Sequence, residues 1–290
     1  MSSSSTDNLK KNALLATAGV AGVTLLYWAG LYANQRALVF NPVAEELPQD
    51  IVLPLYEAPR VDDLPQYAEY QFHTRDGVCL RGVKLSHSGQ NLPTLLYVGG
   101  RGEDIRWFKE ARGFFKGVNL VALNYRGFGL SEGKCSEQNA VADVIEHATV
   151  LSRSSGVSSV HLVGRSLGTG VVIQAIKDLP QASSLSLITP YDSIVEIAKM
   201  RFPLAPVNWL LSHRFESHTH VQHVNTPTQV LLAEKDDIVP HTRTKALISK
   251  FKQEPETSII GGCDHCNIVY RAGLWENLIH FAKEMSVKQA

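Results

Sequence analysis

Ser166, Asp236 and His265 are the side chains of this sequence whose types, order and surroundings suit nucleophilic chemistry on a carbonyl. Ser166 stands in Gly164-Arg165-Ser166-Leu167-Gly168, between the apolar run Val160-His161-Leu162-Val163 and the helix-compatible Val171-Val172-Ile173-Gln174-Ala175-Ile176. Strand, tight turn and helix are the context in which a serine is lifted onto a sharp elbow, with glycines where a Cβ would meet neighbouring backbone. A serine hydroxyl is a weak nucleophile at neutral pH. It needs a base within hydrogen-bond reach, and the base needs a third group to orient it. Loops at the carboxyl ends of later strands are where such groups are expected. Glu234-Lys235-Asp236-Asp237 follows one apolar run, and Gly261-Gly262-Cys263-Asp264-His265-Cys266 follows the next. They offer Asp236 as the orienting acid, with Asp237 as its rival, and His265 as the base. Of the 11 histidines only His241, His265 and His280 follow Asp236. His241 is too close to the acid, just past Pro240, and His280 lies in an amphipathic helical stretch.

An oxyanion formed on the attacked carbonyl needs preorganised N–H donors. The N–H of Leu167 is one. The second is expected in the turn after residues 94–98, which reads Gly99-Gly100-Arg101-Gly102, and the Arg101 N–H is assigned to it.

The elements that must carry these groups alternate along the chain. Residues 67–74 and 78–85 flank Arg75-Asp76-Gly77 and predict a hairpin on an Asp-Gly turn. Strands are expected at 94–98, 119–125, 160–165, 184–190, 228–233 and 257–260, with helices at about 137–151, after the elbow and at 272–285. Ser193-Ile194-Val195-Glu196 fits a capping box. This alternation predicts an α/β fold with a mostly parallel central sheet and helices on both faces. Residues 191–226 leave room for a small cap. Within it Phe202 and Trp209 are candidate walls of a substrate groove or, equally, packing against the sheet edge.

Ahead of this domain, residues 1–12 are polar, and residues 13–33 run without a charge. As a helix that run is about 31 Å long, close to the roughly 30 Å hydrocarbon core of a bilayer. It predicts a single transmembrane anchor, with Tyr27, Trp28 and Tyr32 toward its C-terminal end. Lys10 and Lys11 before the span, against Arg36 after it, favour a cytoplasmic N-terminus and a catalytic domain on the non-cytoplasmic side. Five prolines across residues 34–66 predict a connector between anchor and domain. Lys+Arg and Asp+Glu both number 28, so no basic face argues for nucleic acid. No metal-ligand cluster or cofactor fingerprint is expected. Cys263 and Cys266 could pair only if the domain faces an oxidising compartment.

Taken together, these residues resemble the α/β-hydrolase superfamily over about residues 69–282, and more narrowly membrane-anchored serine hydrolases related to the prolyl-oligopeptidase and serine-aminopeptidase group. Arg75-Asp76-Gly77, Tyr125-Arg126-Gly127-Phe128-Gly129, Gly164-Arg165-Ser166-Leu167-Gly168, Pro190-Tyr191-Asp192-Ser193 and Asp236-Asp237-Ile238-Val239-Pro240 carry the resemblance. Two departures are Gly99-Gly100, where His-Gly is usual, and Ala233, where Gly is common. The resemblance implies hydrolysis of carboxylic esters or thioesters, from a small molecule or a lipid, ahead of peptides. A non-catalytic binding or scaffold protein on the same fold is the alternative class.

Overall fold

The computed structural model describes residues 3–42 and 64–289. Eight strands form one sheet: β1 (Gln66–His73), β2 (Cys79–Ser86), β3 (Leu92–Val98), β4 (Asn119–Leu123), β5 (Val157–Arg165), β6 (Ala182–Ile188), β7 (Thr228–Lys235) and β8 (Glu256–Asp264). Their spatial order is β1-β2-β4-β3-β5-β6-β7-β8. β2 is antiparallel to both β1 and β4, and every later pairing is parallel. The helices are α1 (Ser3–Phe40), α2 (Phe108–Ala111), α3 (Glu137–Leu151), α4 (Leu167–Ala175), α5 (Ile194–Arg201), α6 (Val207–Leu210), α7 (Ser217–His220), α8 (His241–Ile248) and α9 (Ala272–Gln289).

Strands such as β6, buried at every position, have the continuous apolar character of parallel strands covered on both faces. One core cluster joins α3 and α4 to the sheet through residues such as Leu151, Leu162 and Val172; the other places Trp275 of α9 and Phe108 of α2 against the opposite face. The chain moves outward from β3 in one direction to β4 and in the other to β5, so a switch point lies at the carboxyl ends of β3 and β5.

The loop after β4 is fixed by charge. Arg126 forks onto Asp143 of α3, and also reaches Asp76 of the β1–β2 turn at 2.6 Å. One guanidinium thus ties hairpin, loop and helix together. The Ser193 side chain caps α5 by accepting the Glu196 N–H, but the Glu196 carboxylate turns to Lys199 and Arg243, so only half of the expected box forms.

α1 is long and apolar enough over Leu14–Phe40 to cross a membrane. It does not end at residue 33. It continues to Phe40, through the first seven residues of the expected connector, because its last turn belongs to the core of the sheet domain. Phe40 is 0 % exposed and sits edge-on to Tyr125, His213 and Phe215. The rest of the expected connector, from 43 to 63, lies outside the described residues. The cap occupies the segment between β6 and β7 and carries α5, α6 and α7.

Phe40→Ala should therefore destabilise the sheet domain, not only the helix. Truncating a fully buried Phe costs about 3–5 kcal/mol. Urea unfolding followed by a domain signal, such as near-ultraviolet dichroism, should record a loss of that size; a loss below about 1 kcal/mol would mean that the last turn of α1 is not part of the core.

Burial holds the His147 imidazole down at about 3 and that of His161 at about 4, against an ordinary 6.5. Both stay neutral in the folded chain at mildly acid pH, while the unfolded chain takes up their protons. Stability is thus fully present above the unfolded value of 6.5 and is lost as pH falls from there toward the folded values of about 3 and about 4. At about pH 5 each histidine costs about 2 kcal/mol. His147→Gln should narrow the difference in unfolding free energy between about pH 7 and about pH 5 by that amount, read from urea titrations at the two values; an undiminished difference would mean that His147 titrates normally when folded.

Candidate active site

The elbow is built by close approach. Adjacent strands β3 and β5 run in register with Val98 opposite Gly164, so the turns that leave them lie side by side. A Cβ on Gly168 would meet the Val98 carbonyl oxygen at 2.1 Å, and one on Gly164 would meet the Gly168 oxygen at 2.7 Å. Ser166 is left at φ +48°, ψ −115°, outside the ordinary regions for a side-chain-bearing residue. Such a conformation costs of order 1–3 kcal/mol and persists only where its surroundings over-determine it. Here the Ser166 N–H donates to the Ile188 carbonyl, and the Ser166 carbonyl accepts from the Thr169 N–H and hydroxyl.

The hydroxyl projected by this turn meets two loops from the far half of the sheet. Ser166 Oγ is 2.8 Å from His265 Nε2, and His265 Nδ1 is 2.9 Å from Asp236 Oδ2 and 3.0 Å from Oδ1. Asp236 Oδ1 also accepts the N–H groups of Ile238 and Val239. These fix the carboxylate, which is almost wholly buried. Asp237 is exposed and takes no part in this chain of contacts. The loop carrying His265 is closed on itself, because Asp264 Oδ1 accepts from the N–H groups of both Cys266 and Asn267. His241, helical and bonded to the Ala233 carbonyl, and the exposed His280 are elsewhere.

The glycine-rich turn after β3 sorts its own donors. The Gly100 N–H is taken by Glu103 Oε2 at 2.6 Å, and the Gly102 N–H by the Phe40 carbonyl at 3.0 Å. The N–H groups of Arg101 and of Leu167, the first residue of α4, have no hydrogen-bond acceptor among the described residues. Tyr125 steadies the turn from below by donating its hydroxyl to the Gly99 carbonyl.

Sequence reading missed the pair that joins these loops. Glu103 receives Arg165 Nη1 at 2.8 Å, and it also accepts from Tyr97, Trp107 and the Gly100 N–H. Arg165 Nη2 then donates to the carbonyls of His265 and Cys266. Burial pushes the Glu103 carboxyl up, but the Arg165 charge, the Gly100 N–H and the Tyr97 hydroxyl outweigh it and hold the group below the ordinary carboxylate value. The available signal was a pair of opposite charges, one in the β3 turn and one directly before Ser166.

Phe202 and Trp209 are not brought to this cluster. Phe202 is half-buried at the end of α5, while Trp209 stands 90 % exposed. Neither makes a hydrogen bond or ring contact with Ser166 or His265 among the described residues. Cys263 and Cys266 are unpaired; the former is buried and donates to the Ile260 carbonyl, the latter is exposed. No cluster of metal-ligating side chains occurs among the described residues.

Removing one partner of a buried ion pair leaves an uncompensated charge and costs about 3–5 kcal/mol. Glu103→Gln should show a loss of that order in urea unfolding. Adding Arg165→Met should restore most of it, giving a coupling energy of at least about 2 kcal/mol in the double-mutant cycle. Strictly additive losses would mean that the two charges do not depend on each other.

No family model matches the chain. An uncharacterised protein of Mycobacterium tuberculosis is 29 % identical over 250 residues, covering 84 % of each chain. Lysophosphatidylserine lipase ABHD12 of Danio rerio is 30 % identical over 179 residues, covering 53 % of this chain and 46 % of that protein, so the match spans about half the lipase. Among solved structures, an esterase of Pyrococcus furiosus superposes with a TM-score of 0.62 at 18 % identity, over 77 % of this chain and 93 % of that one. The sheet order, the strained serine turn at the β3–β5 switch point and these similarities agree: the chain has the α/β-hydrolase fold and is similar to proteins of that superfamily.

Proposed function

We propose that this chain is a membrane-anchored serine hydrolase that cleaves carboxylic esters or thioesters through an acyl-enzyme. The observation that carries the reading is the continuous run of hydrogen bonds from the strained Ser166 hydroxyl through His265 to the buried Asp236. In the mechanism that follows, Ser166 Oγ attacks the acyl carbonyl as His265 Nε2 takes its proton. Asp236 keeps the other ring nitrogen protonated and stabilises the imidazolium. The N–H groups of Leu167 and Arg101 hold the oxyanion of the tetrahedral intermediate. Its collapse expels the alcohol or thiol, which receives the proton from His265. Water, deprotonated by the same ring, then attacks the acyl-serine, and the acid leaves with Ser166 restored.

The anchor is the apolar part of α1, with the sheet domain on the non-cytoplasmic side. A lipid-borne ester fits this arrangement better than a peptide, since a tethered site meets bilayer substrates at high effective concentration. The relatives described as a lipase and an esterase point the same way.

A fluorophosphonate probe, which reacts with activated serines whatever their substrate, should label the full chain at Ser166. Ser166→Ala should abolish labelling, and Ser166→Ala and His265→Ala should each lower kcat on a p-nitrophenyl ester by roughly 10⁴-fold or more, with the double variant little worse than either. Asp236→Asn should cost far more than Asp237→Asn. Labelling that survives in Ser166→Ala at the original level would refute the assignment.

A further inference from the structure

The cap carries three large apolar side chains that nothing among the described residues covers. Met200 is 55 % exposed, Leu204 82 % and Trp209 90 %. They fall on one short segment, and exposed large apolar side chains concentrated in this way mark an interaction site. Their position relative to α1 says what they meet. The Trp28 indole N–H donates to the Leu204 carbonyl at 3.1 Å, and Gln35 Oε1 accepts the Ser212 N–H at 2.7 Å. Over its C-terminal half up to Gln35, α1 is least exposed at Thr24, Trp28, Leu31 and Gln35, the spacing of one helix face. From Ser212 back to Leu204 the cap therefore descends along α1 from the level of Gln35 to that of Trp28, about 10 Å at 1.5 Å per residue.

That descent can be set against the bilayer. The uncharged run of residues 13–33 matches the thickness of a hydrocarbon core, which puts its C-terminal boundary near Ala33. Trp28 lies five residues, or about 7 Å, inside that boundary, and a typical tilt of roughly 20° hardly shortens this. The carbonyl bonded to Trp28 lies at the same depth. Exposed Arg201 flanks the apolar tip, as basic side chains do at a headgroup boundary.

We infer that the tip of the cap, residues 200–211, is a second membrane contact: Met200, Leu204 and Trp209 enter the leaflet that holds the C-terminal end of α1. The partner is a lipid surface. This rests on the reading of α1 as a membrane anchor, and adds that the ester reaches Ser166 from that leaflet without first entering water. It also accounts for the exposure of Trp209: its ring contacts acyl chains of the bilayer, not the substrate within the site.

The test uses the full chain in phosphatidylcholine vesicles, with tryptophan emission read against lipids brominated near the headgroup end of the acyl chains. Subtracting the Trp209→Phe variant isolates Trp209, and subtracting Trp28→Phe isolates Trp28. Quenching of both by bromolipid, with shielding of Trp209 from aqueous acrylamide, is the expected result. Quenching of Trp28 without Trp209 leaves the anchor standing and overturns the inserted cap. Trp209 shielded from acrylamide yet untouched by bromolipid means that protein, such as a second copy, covers it, which also overturns the proposal. No quenching of either removes the anchor and the cap contact together. In a second arm, Leu204→Glu should lower kcat/KM at least tenfold on a long-chain ester carried in vesicles and leave p-nitrophenyl acetate hydrolysis in solution unchanged. Equal losses on both substrates, or none on either, would refute the membrane role of the tip.

Discussion

The site depends on how closely two strands let their turns approach. Gly168 lies so near the carbonyls of Val98 and Gly99 that any side chain there would force β3 and β5 apart. With β3 and β5 in register, the glycine lets the start of α4 lie against the end of β3. The positive φ of Ser166 is the consequence of making that reversal in so few residues. Its strain is held by burial on both sides: Leu167, Val171 and Val172 of α4 and Leu162 and Val163 of β5 are all in the core. A strained turn sustained in this way is stiff, and stiffness is what keeps a hydroxyl within 2.8 Å of an imidazole that arrives from 99 residues away.

The Glu103–Arg165 pair extends that stiffness sideways. Buried ion pairs are weak sources of net stability, because desolvation offsets most of their attraction. What this one supplies is geometry. Glu103 removes the Gly100 N–H from the set of free donors, and Arg165 holds the main chain of the loop that bears His265. The β3 turn, the elbow and the histidine loop are thereby spaced by one charged contact, with each polar atom of Glu103 satisfied.

Much of this was readable from residues alone. The inner parallel strands announce themselves as apolar runs because both faces are buried, and Ser166 and Asp236 stand directly after such runs; His265 follows the edge strand β8, which is largely exposed. The Asp-Gly hairpin was legible for the same reason: its turn chemistry is local. Three features were not. Val39-Phe40 falls within residues 34–66, which read as a connector because of their prolines, and composition does not distinguish a connector side chain from one bound for a protein core. The Glu103–Arg165 pair joins residues 62 positions apart, which no periodicity connects. The apolar character of the cap gave its composition but not which way it faces, so Trp209 was as good a candidate for a groove wall as for packing against the sheet edge, and its 90 % exposure was not legible.

The end of α1 gives these observations a common consequence. Its last carbonyls, normally left for water at a helix C-terminus, are occupied by the turn that follows β3: Arg101 Nε donates to Leu38 O at 2.8 Å, and the Gly102 N–H to Phe40 O. Arg101 thus binds the helix with its side chain while its own N–H has no acceptor among the described residues. A domain on a flexible tether would sample every orientation above a surface, and its site would face that surface only part of the time. A domain whose core includes the last turn of the helix has no such freedom. Any tilt of α1 is passed through Phe40 to the Tyr125–Phe215 cluster, and through Gly102 to the turn beside the serine. The rigid unit therefore runs from the helix to the turn beside Ser166. The direction of α1 in this arrangement sets the direction in which Ser166 faces.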